Sequence, residues 1–278
     1  MAIMRNRIFI TGSTSFLGTP LVEALVSSYA LRLLIHKTSP PSFFSRNTVQ
    51  IVFGNLNTVT EEMLRDVSTI VHIAAITHGP PEAYQRVNVE GTAHLLSIAS
   101  KAGVNRIVYI SSRAIGSACG SYGDSKTRAE ELIKQSGVPF VIVRPAEVYD
   151  DAFSSPEGIG KLARLITRFP VVPFPSHPDA LLAPIHIDDV IMAIARIIDH
   201  PSLVSKTYTL AGPETLTLRE IANRISAHYR LHRRFIPLPL GMFFMISSEQ
   251  RMRLVCKKES EIKTMQEELG ILPRPFLL

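Results

Sequence analysis

Tyr122 and Lys126 are separated by three residues in the run Ser121-Tyr122-Gly123-Asp124-Ser125-Lys126. On a helix, residues i and i+4 share a face, so the phenol and the ammonium would project into the same space. A nearby cation favours the phenolate and moves a group of free pKa roughly 10 towards proton transfer near neutrality. Much earlier, Thr11-Gly12-Ser13-Thr14-Ser15-Phe16-Leu17-Gly18 follows the first apolar run of the chain. A glycine-bearing turn between a strand and a helix offers backbone N–H groups to a pyrophosphate, and Gly12 and Gly18 permit close approach and packing there. The middle glycine of such turns is here Ser15, so either the loop accommodates a small side chain or its hydroxyl joins the contact. Taken together, the pair and the turn point to nicotinamide-dependent redox chemistry.

Such groups need a scaffold, and the apolar runs supply one. Arg7–Ile10 reads as a buried strand, 17–28 as a helix and Leu31–Ile35 as the next strand, which makes a βαβ unit. Further strands are expected at 49–53, 69–73, 106–110 and 140–143, with helical patterns at 84–102 and 125–135. Alternating strands and helices imply a doubly wound, mostly parallel sheet of the Rossmann type. After Pro145 the elements shorten and proline becomes frequent. The expected division is therefore a dinucleotide-binding domain over residues 1–150 and a smaller substrate lobe over 151–278. Segments near 184–212, a helix at 188–199 and a strand at 207–210, return to the main domain.

Composition narrows the class. With 46% apolar and 19% charged residues, the chain of 278 residues can bury a sizeable core, and its net charge of +6 suits phosphate-bearing ligands. It lacks the clustered basic and aromatic strips of a nucleic-acid binder. Cys119 and Cys256 form no disulfide framework and have no partner at metal-ligand spacing, which fits a reducing cytoplasm. The start, Met1 to Arg7, does not read as a signal peptide. The most apolar stretch, 235–246, contains Pro237 and Pro239 and is shorter than the roughly 20 residues of a spanning helix, so no membrane contact is expected.

At the end of the second strand, where an acid would grip the ribose hydroxyls of NAD, the chain has His36 and Lys37. An acid there repels a 2′-phosphate and a basic pair invites one. NADP(H) is accordingly the first choice of cofactor and NAD(H) the second, with Arg32 a further cation in reach.

The ordered set of motifs resembles the extended or atypical short-chain dehydrogenase/reductase superfamily, the NAD-dependent epimerase/dehydratase group. Besides the glycine turn and Tyr122-x-x-x-Lys126, it includes His72-Ile73-Ala74-Ala75, Asn88-Val89-Glu90-Gly91-Thr92 and Tyr109-Ile110-Ser111-Ser112. Arg144-Pro145-Ala146-Glu147-Val148-Tyr149, Pro184-Ile185-His186-Ile187-Asp188-Asp189-Val190 and Leu210-Ala211-Gly212-Pro213-Glu214 continue it nearly to the end of the chain. The resemblance implies that Tyr122 is the acid/base, that Lys126 holds the nicotinamide ribose and lowers the tyrosine pKa, and that Ser112 binds the reacting oxygen. It also implies that Asn88 supports a water relay. Where many relatives carry a third hydroxyl residue this chain has Arg113, so Ser111 and Ser117 are alternatives to Ser112. Cofactor contacts are expected from Gly12 to Gly18, His36, Lys37, Asn55, Leu56, Ile73, Ala74, Ala75, Tyr122, Lys126 and Pro145. Asn55 replaces the aspartate common beside the adenine and can still hydrogen-bond it. Substrate contacts are expected from Thr77, Ser112, Arg113 and Arg144.

Only nine residues lie between Ser112 and Tyr122, fewer than the proline-containing loop of sugar-nucleotide epimerases. A nucleotide sugar is the expected substrate, with a smaller carbonyl compound admitted by that short loop. Arg230, Arg233 and Arg234 are cations that could meet a nucleotide diphosphate, although a solvated surface is the stronger expectation for them; His72 is expected as a satisfied core histidine, and His186 with Asp188-Asp189 as a packing and capping motif rather than a metal site. The resemblance further implies a homodimer. The contrasting reading is a non-catalytic NADP(H)-binding sensor or assembly module, to which Ser15 and Arg113 point; Tyr122, Lys126 and Asn88 together point to an enzyme.

Overall fold

The computed structural model describes residues 7–45, 47–175, 181–239 and 262–277. Seven strands form one sheet: β1 (Arg7–Thr11), β2 (Ala30–Ile35), β3 (Val49–Phe53), β4 (Val67–His72), β5 (Arg106–Ile110), β6 (Phe140–Pro145) and β7 (Lys206–Leu210). Their spatial order is β7-β6-β5-β4-β1-β2-β3. β1 pairs in parallel with β2 and β4, β2 with β3, β4 with β5, and β5 with β6. The fold is thus α/β and Rossmann-like. A parallel sheet covered by crossover helices must be apolar on both faces, and Ile8, Phe9, Ile10, Leu31, Leu33, Ile107 and Val108 are all buried. The chain leaves β1 towards β2 and β3 and returns to β4 on the other side. The strand order therefore reverses between β1 and β4, the crevice where doubly wound sheets bind ligands.

Helices α1 (Gly18–Leu25), α2 (Gly91–Lys101) and α3 (Gly120–Gln135) follow β1, β4 and β5. A short turn, Pro81–Tyr84, and a π-helical turn, Gln85–Glu90, lead into α2. The helix bearing Tyr122 begins at Gly120, five residues before the expected start. Gly123 explains this: a Cβ there would stand 2.6 Å from the Gly116 carbonyl oxygen and 2.7 Å from Cys119 Cβ. Without one, the 114–119 loop folds tightly onto the first helical turn, and Gly116 N–H donates to Gly123 O at 3.2 Å.

The chain divides into two compact units that interleave in sequence. The first takes the described residues up to Ser111, Asp124–Arg144 and Ile191–Tyr208; the second takes Ser112–Gly123, Pro145–Val190 and the described residues from Thr209 onward. In the second unit, Val148–Tyr149 pairs with Ile185–His186, Leu181–Leu182 with Leu216–Thr217, and Val171–Pro175 with Arg234–Leu238. Helix α4 (Gly158–Arg168) and helix α6 (Leu218–His228) belong to this unit, as does α7 (Lys263–Leu269), while α5 (Ile187–Asp199) begins there. Its core gathers Tyr149, Phe153, Ile166, Phe174, Ile221 and Phe276. Arg233 donates to Ile166 O at 2.6 Å and Thr167 O at 3.3 Å, so it caps α4. Arg234 is exposed.

Among the described residues no helix is long and apolar enough to cross a membrane. Cys119 is buried. Cys256 lies outside the described residues, as does the apolar stretch beyond Pro239.

Candidate active site

At the end of β1 the chain turns sharply. Gly12 has a φ of 72°, and a Cβ on it would stand 2.7 Å from Ala74 N. A Cβ on Gly18 would collide with the Gly12 carbonyl oxygen. Gly12 is therefore required by contact and by conformation, and Gly18 by contact. Ser15, in the place of the middle glycine, is exposed and not at positive φ; its Oγ accepts Gly18 N–H at 3.0 Å. The loop accommodates this side chain as a cap on the first amide of α1. Ser13 is fully buried and its Oγ has no hydrogen-bond partner. Thr14 and Phe16 are half-buried and Leu17 is buried.

Next to this turn lies a buried polar chain whose direction can be read off. Ala74 N–H donates to Thr11 Oγ1 at 3.2 Å, leaving the Thr11 hydroxyl proton for His72 Nδ1 at 2.7 Å. On the other side, Thr92 Oγ1 donates to Asn88 O at 2.7 Å, so it must accept from His72 Nε2–H at 3.0 Å. His72 is a satisfied core histidine, neutral and protonated on Nε2. Burial and then the Lys126 charge push its pKa down to about 3. The Asn88 side chain is equally saturated: Oδ1 accepts Ile76 N–H at 2.9 Å, and Nδ2 donates to Ile76 O at 3.1 Å and Ser125 Oγ at 3.0 Å. These bonds hold the π-turn against the strand-end loop and tie it to α3, beside Lys126. Ile73, Ala74 and Ala75 are half-buried along that loop.

Lys126 is buried, and its Nζ donates to Ile110 O at 2.9 Å and Tyr109 Oη at 3.1 Å. Burial pushes its pKa down to about 7, against a smaller upward pull from Glu130. Tyr122 is buried one turn earlier on α3. Glu130, one turn later, is missing from the sequence reading. It accepts from Ser111 Oγ at 2.6 Å and binds Arg144 twice, through Nε at 2.9 Å and Nη2 at 2.6 Å. The stripe Tyr122-Lys126-Glu130 at i, i+4, i+8 is the sequence signal that would have found it.

These contacts redistribute the expected roles. Ser111 is committed to Glu130, Ser117 is exposed at the start of a short 3₁₀ turn, and Ser112 is half-buried with Oγ accepting Ala114 N–H at 3.0 Å. Arg144, an expected substrate ligand, forms the bidentate pair with Glu130, and Arg113, another, is buried in an ion pair with Glu147 at 2.7 Å. Arg32 is also buried, holding Gln50 Oε1 at 2.8 Å, Met63 O at 2.8 Å and Arg65 O at 2.7 Å, so it is a structural cation. His36 and Lys37 lie exposed just beyond β2. Asn55 Oδ1 accepts Asn57 N–H at 2.9 Å, which leaves its amide N–H groups as donors for a base, and Leu56 beside it is buried. Thr77 is half-buried and its carbonyl accepts from Tyr84 Oη at 3.1 Å; Pro145 is buried at the end of β6. His186 packs edge-on to Tyr149, and its Nδ1 accepts Asp188 N–H at 3.2 Å, while Asp189 holds Arg274 N–H at 3.0 Å. Among the described residues no group of three or more His, Cys, Asp or Glu side chains forms a metal site.

A model of the NAD dependent epimerase/dehydratase family matches residues 8–211. The chain belongs to this family. As a member of the short-chain dehydrogenase/reductase superfamily it is an enzyme of the epimerase, dehydratase and reductase class. UDP-glucose 4-epimerase of Vibrio cholerae is 26% identical to it, over 97% of this chain and 92% of the relative. Ceramide reductase of Caulobacter vibrioides is 28% identical, over 72% of this chain and 63% of the relative. Among solved structures, MoeE5 in complex with UDP-glucose and NAD superposes with a TM-score of 0.80 at 21% identity, covering 97% of this chain and 94% of the other. UDP-glucuronic acid 4-epimerase from Bacillus cereus, in complex with UDP-glucuronic acid and NAD, gives 0.81 at 18%, covering 98% and 95%. At those identities the two structures establish the fold.

The residues of this epimerase/dehydratase-family chain fit the dinucleotide its family binds. Ser13 Oγ is an orphaned buried hydroxyl inside the turn, and the missing side chains of Gly12 and Gly18 keep the turn tight. Gly18→Ala is expected to weaken dinucleotide affinity by more than tenfold, roughly 1.4 kcal/mol or more, because the turn must open to admit the methyl group. Calorimetry on the variant checks this; unchanged affinity would show that the turn yields without loss.

Proposed function

We propose that the chain is an NADP(H)-using epimerase or reductase that acts at a carbinol or carbonyl carbon of a nucleotide sugar. The observation that carries this reading is the buried Lys126, held by two acceptors with its third N–H left for a ligand, on the helix that also bears Tyr122. The bound nicotinamide supplies the hydride acceptor or donor. Tyr122 moves the proton at the reacting oxygen, Ser112 hydrogen-bonds that oxygen, and Lys126 holds the ribose and favours the phenolate. Gly12 to Gly18 cradle the pyrophosphate, and Asn55 donates to the adenine.

The cofactor choice is supported by the exposed His36 and Lys37 at the end of β2, which suit a 2′-phosphate. The substrate class is supported by the nearly full-length likeness to a UDP-glucose 4-epimerase. A second reading, reduction of a smaller or lipid-borne carbonyl, draws support from the nine-residue segment between Ser112 and Tyr122 and from the likeness to a ceramide reductase.

The test is calorimetric titration of cofactor-stripped protein with NADPH and NADH, repeated on His36→Asp/Lys37→Ala, followed by a turnover assay with UDP-glucose. Tight NADPH binding that the double variant loses, and turnover that Tyr122→Phe lowers by roughly a hundredfold or more, is the expected pattern. Preference for NADH would overturn the cofactor choice, and turnover of a small ketone but not of UDP-glucose would favour the second reading. Binding without turnover of either would return the chain to a sensor role.

A further inference from the structure

A fully buried ammonium needs partners, and Lys126 has no carboxylate within hydrogen-bond reach among the described residues. Its nearest oxygens belong to the Ile110 carbonyl and the Tyr109 phenol. The same nitrogen stands 4.6 Å from the centroid of the Tyr109 ring, inside the range at which an aromatic face attracts a cation. Tyr109 thus meets the charge twice, through its oxygen and through its π-face. Its own ring is fixed in turn, for it is buried on β5 and packs against His72 at a centroid distance of 5.3 Å, tilted by 37°. His72 is itself held at both ring nitrogens by Thr11 and Thr92.

We propose that Tyr109 is a positioning residue for Lys126: its phenol oxygen and ring face form a seat that holds the ammonium in place and directs its one remaining N–H outward. The seat lies wholly within the first unit and stands on its own contacts. Only the use of the remaining N–H, for a ribose hydroxyl, rests on the reading above.

The arrangement has an electrostatic logic. A carboxylate in contact with Lys126 would hold the charge more tightly, yet would also compete with the ligand for its N–H groups. Glu130, one turn later, is instead neutralised by Arg144, so its pull on Lys126 is muted. His72, on the neighbouring strand, stays neutral and adds no repulsion. Tyr122 stands one turn earlier on the same helix. Among these titratable neighbours, the acceptor that touches Lys126 directly is Tyr109, an uncharged oxygen whose removal should register on Lys126 itself.

The experiment uses the full chain without cofactor. Lysine side chains are isotope-labelled, and the Lys126 signal, assigned through its loss in Lys126→Met, is followed by NMR across pH in the wild type, in Tyr109→Phe and in Tyr109→Leu. Tyr109→Phe keeps the ring and removes one oxygen, and is expected to lower the Lys126 midpoint by roughly half a unit to one unit. Tyr109→Leu, which removes both contacts, is expected to lower it further. A midpoint that does not move in Tyr109→Phe would overturn the proposal. Should either variant fail to fold, the wild type still decides: nuclear Overhauser contacts must link the Lys126 methylene protons beside the nitrogen to the Tyr109 ring protons, and their absence would overturn the seat. NADPH titrations then separate the two claims. A displaced Lys126 midpoint with unchanged NADPH affinity leaves the seat standing and removes the ribose assignment.

Discussion

Glu130→Ala is expected to lower the unfolding free energy by about 3–5 kcal/mol, the range for breaking a buried ion pair by deleting one partner. The Glu130 side chain is 2% exposed and that of Arg144 is 19% exposed. Truncation takes the carboxylate away from Arg144 Nε and Nη2, bound at 2.9 and 2.6 Å, and leaves the Ser111 hydroxyl without its acceptor at 2.6 Å. Lys134, 3.9 Å from Glu130 and 46% exposed, can return little, because water screens it. Urea denaturation measures the loss. The companion variant Glu130→Leu/Arg144→Met removes both charges, and is expected to recover much of the stability because no buried charge is left alone. If Glu130→Ala loses less than about 1 kcal/mol, the pair is as weak as a surface bridge and does not fix α3 to the ends of β5 and β6.

This pair also shows where sequence stops being legible. Strand positions followed from unbroken apolar runs, and the turn, the Tyr122–Lys126 spacing and the neutral role of His72 followed from local pattern, because each depends on neighbours within one or two turns. The cations were different. Arg32, Arg113 and Arg144 looked like candidate ligands for phosphate or substrate, and all three are engaged inside the protein by partners 14 to 34 residues away. An arginine has the same composition signal whether it faces a ligand or balances a buried carboxylate. The interleaved units were invisible for the same reason: whether 112–123 clusters with the first unit or the second depends on distant contacts, such as Arg113 with Glu147, that no window of sequence reports. Glu130 was missed although it continues the Tyr122–Lys126 stripe, since a glutamate on a helix is ordinarily a solvated residue.

Lys126→Met is expected to do the opposite of Glu130→Ala: it should stabilise the cofactor-free protein while removing dinucleotide-dependent turnover. Lys126 titrates at about 7 in the folded protein against 10.5 ordinarily. Below about 7 both folded and unfolded chains carry the proton, so the folded state bears the whole cost of burying the charge. Between about 7 and 10.5 the unfolded chain holds the extra proton, and wild-type stability therefore rises with pH across that window. The shift corresponds to roughly 4–5 kcal/mol of disfavoured charge, from which the hydrogen bonds to Tyr109 and Ile110, about 1 kcal/mol each, must be subtracted for the variant. A gain of about 2 kcal/mol at pH 6 that crosses zero between about pH 8 and 9 and becomes a loss by pH 10 is the expected outcome of urea melts at several pH values. A variant that is less stable than the wild type at pH 6 would mean that the Tyr109 seat and the Ile110 carbonyl fully compensate the buried charge. A gain that persists unchanged to pH 10 would mean that Lys126 is not the titrating group. Retaining a lysine that weakens the empty fold is consistent with a residue whose charge is stabilised only when a ligand completes its third hydrogen bond.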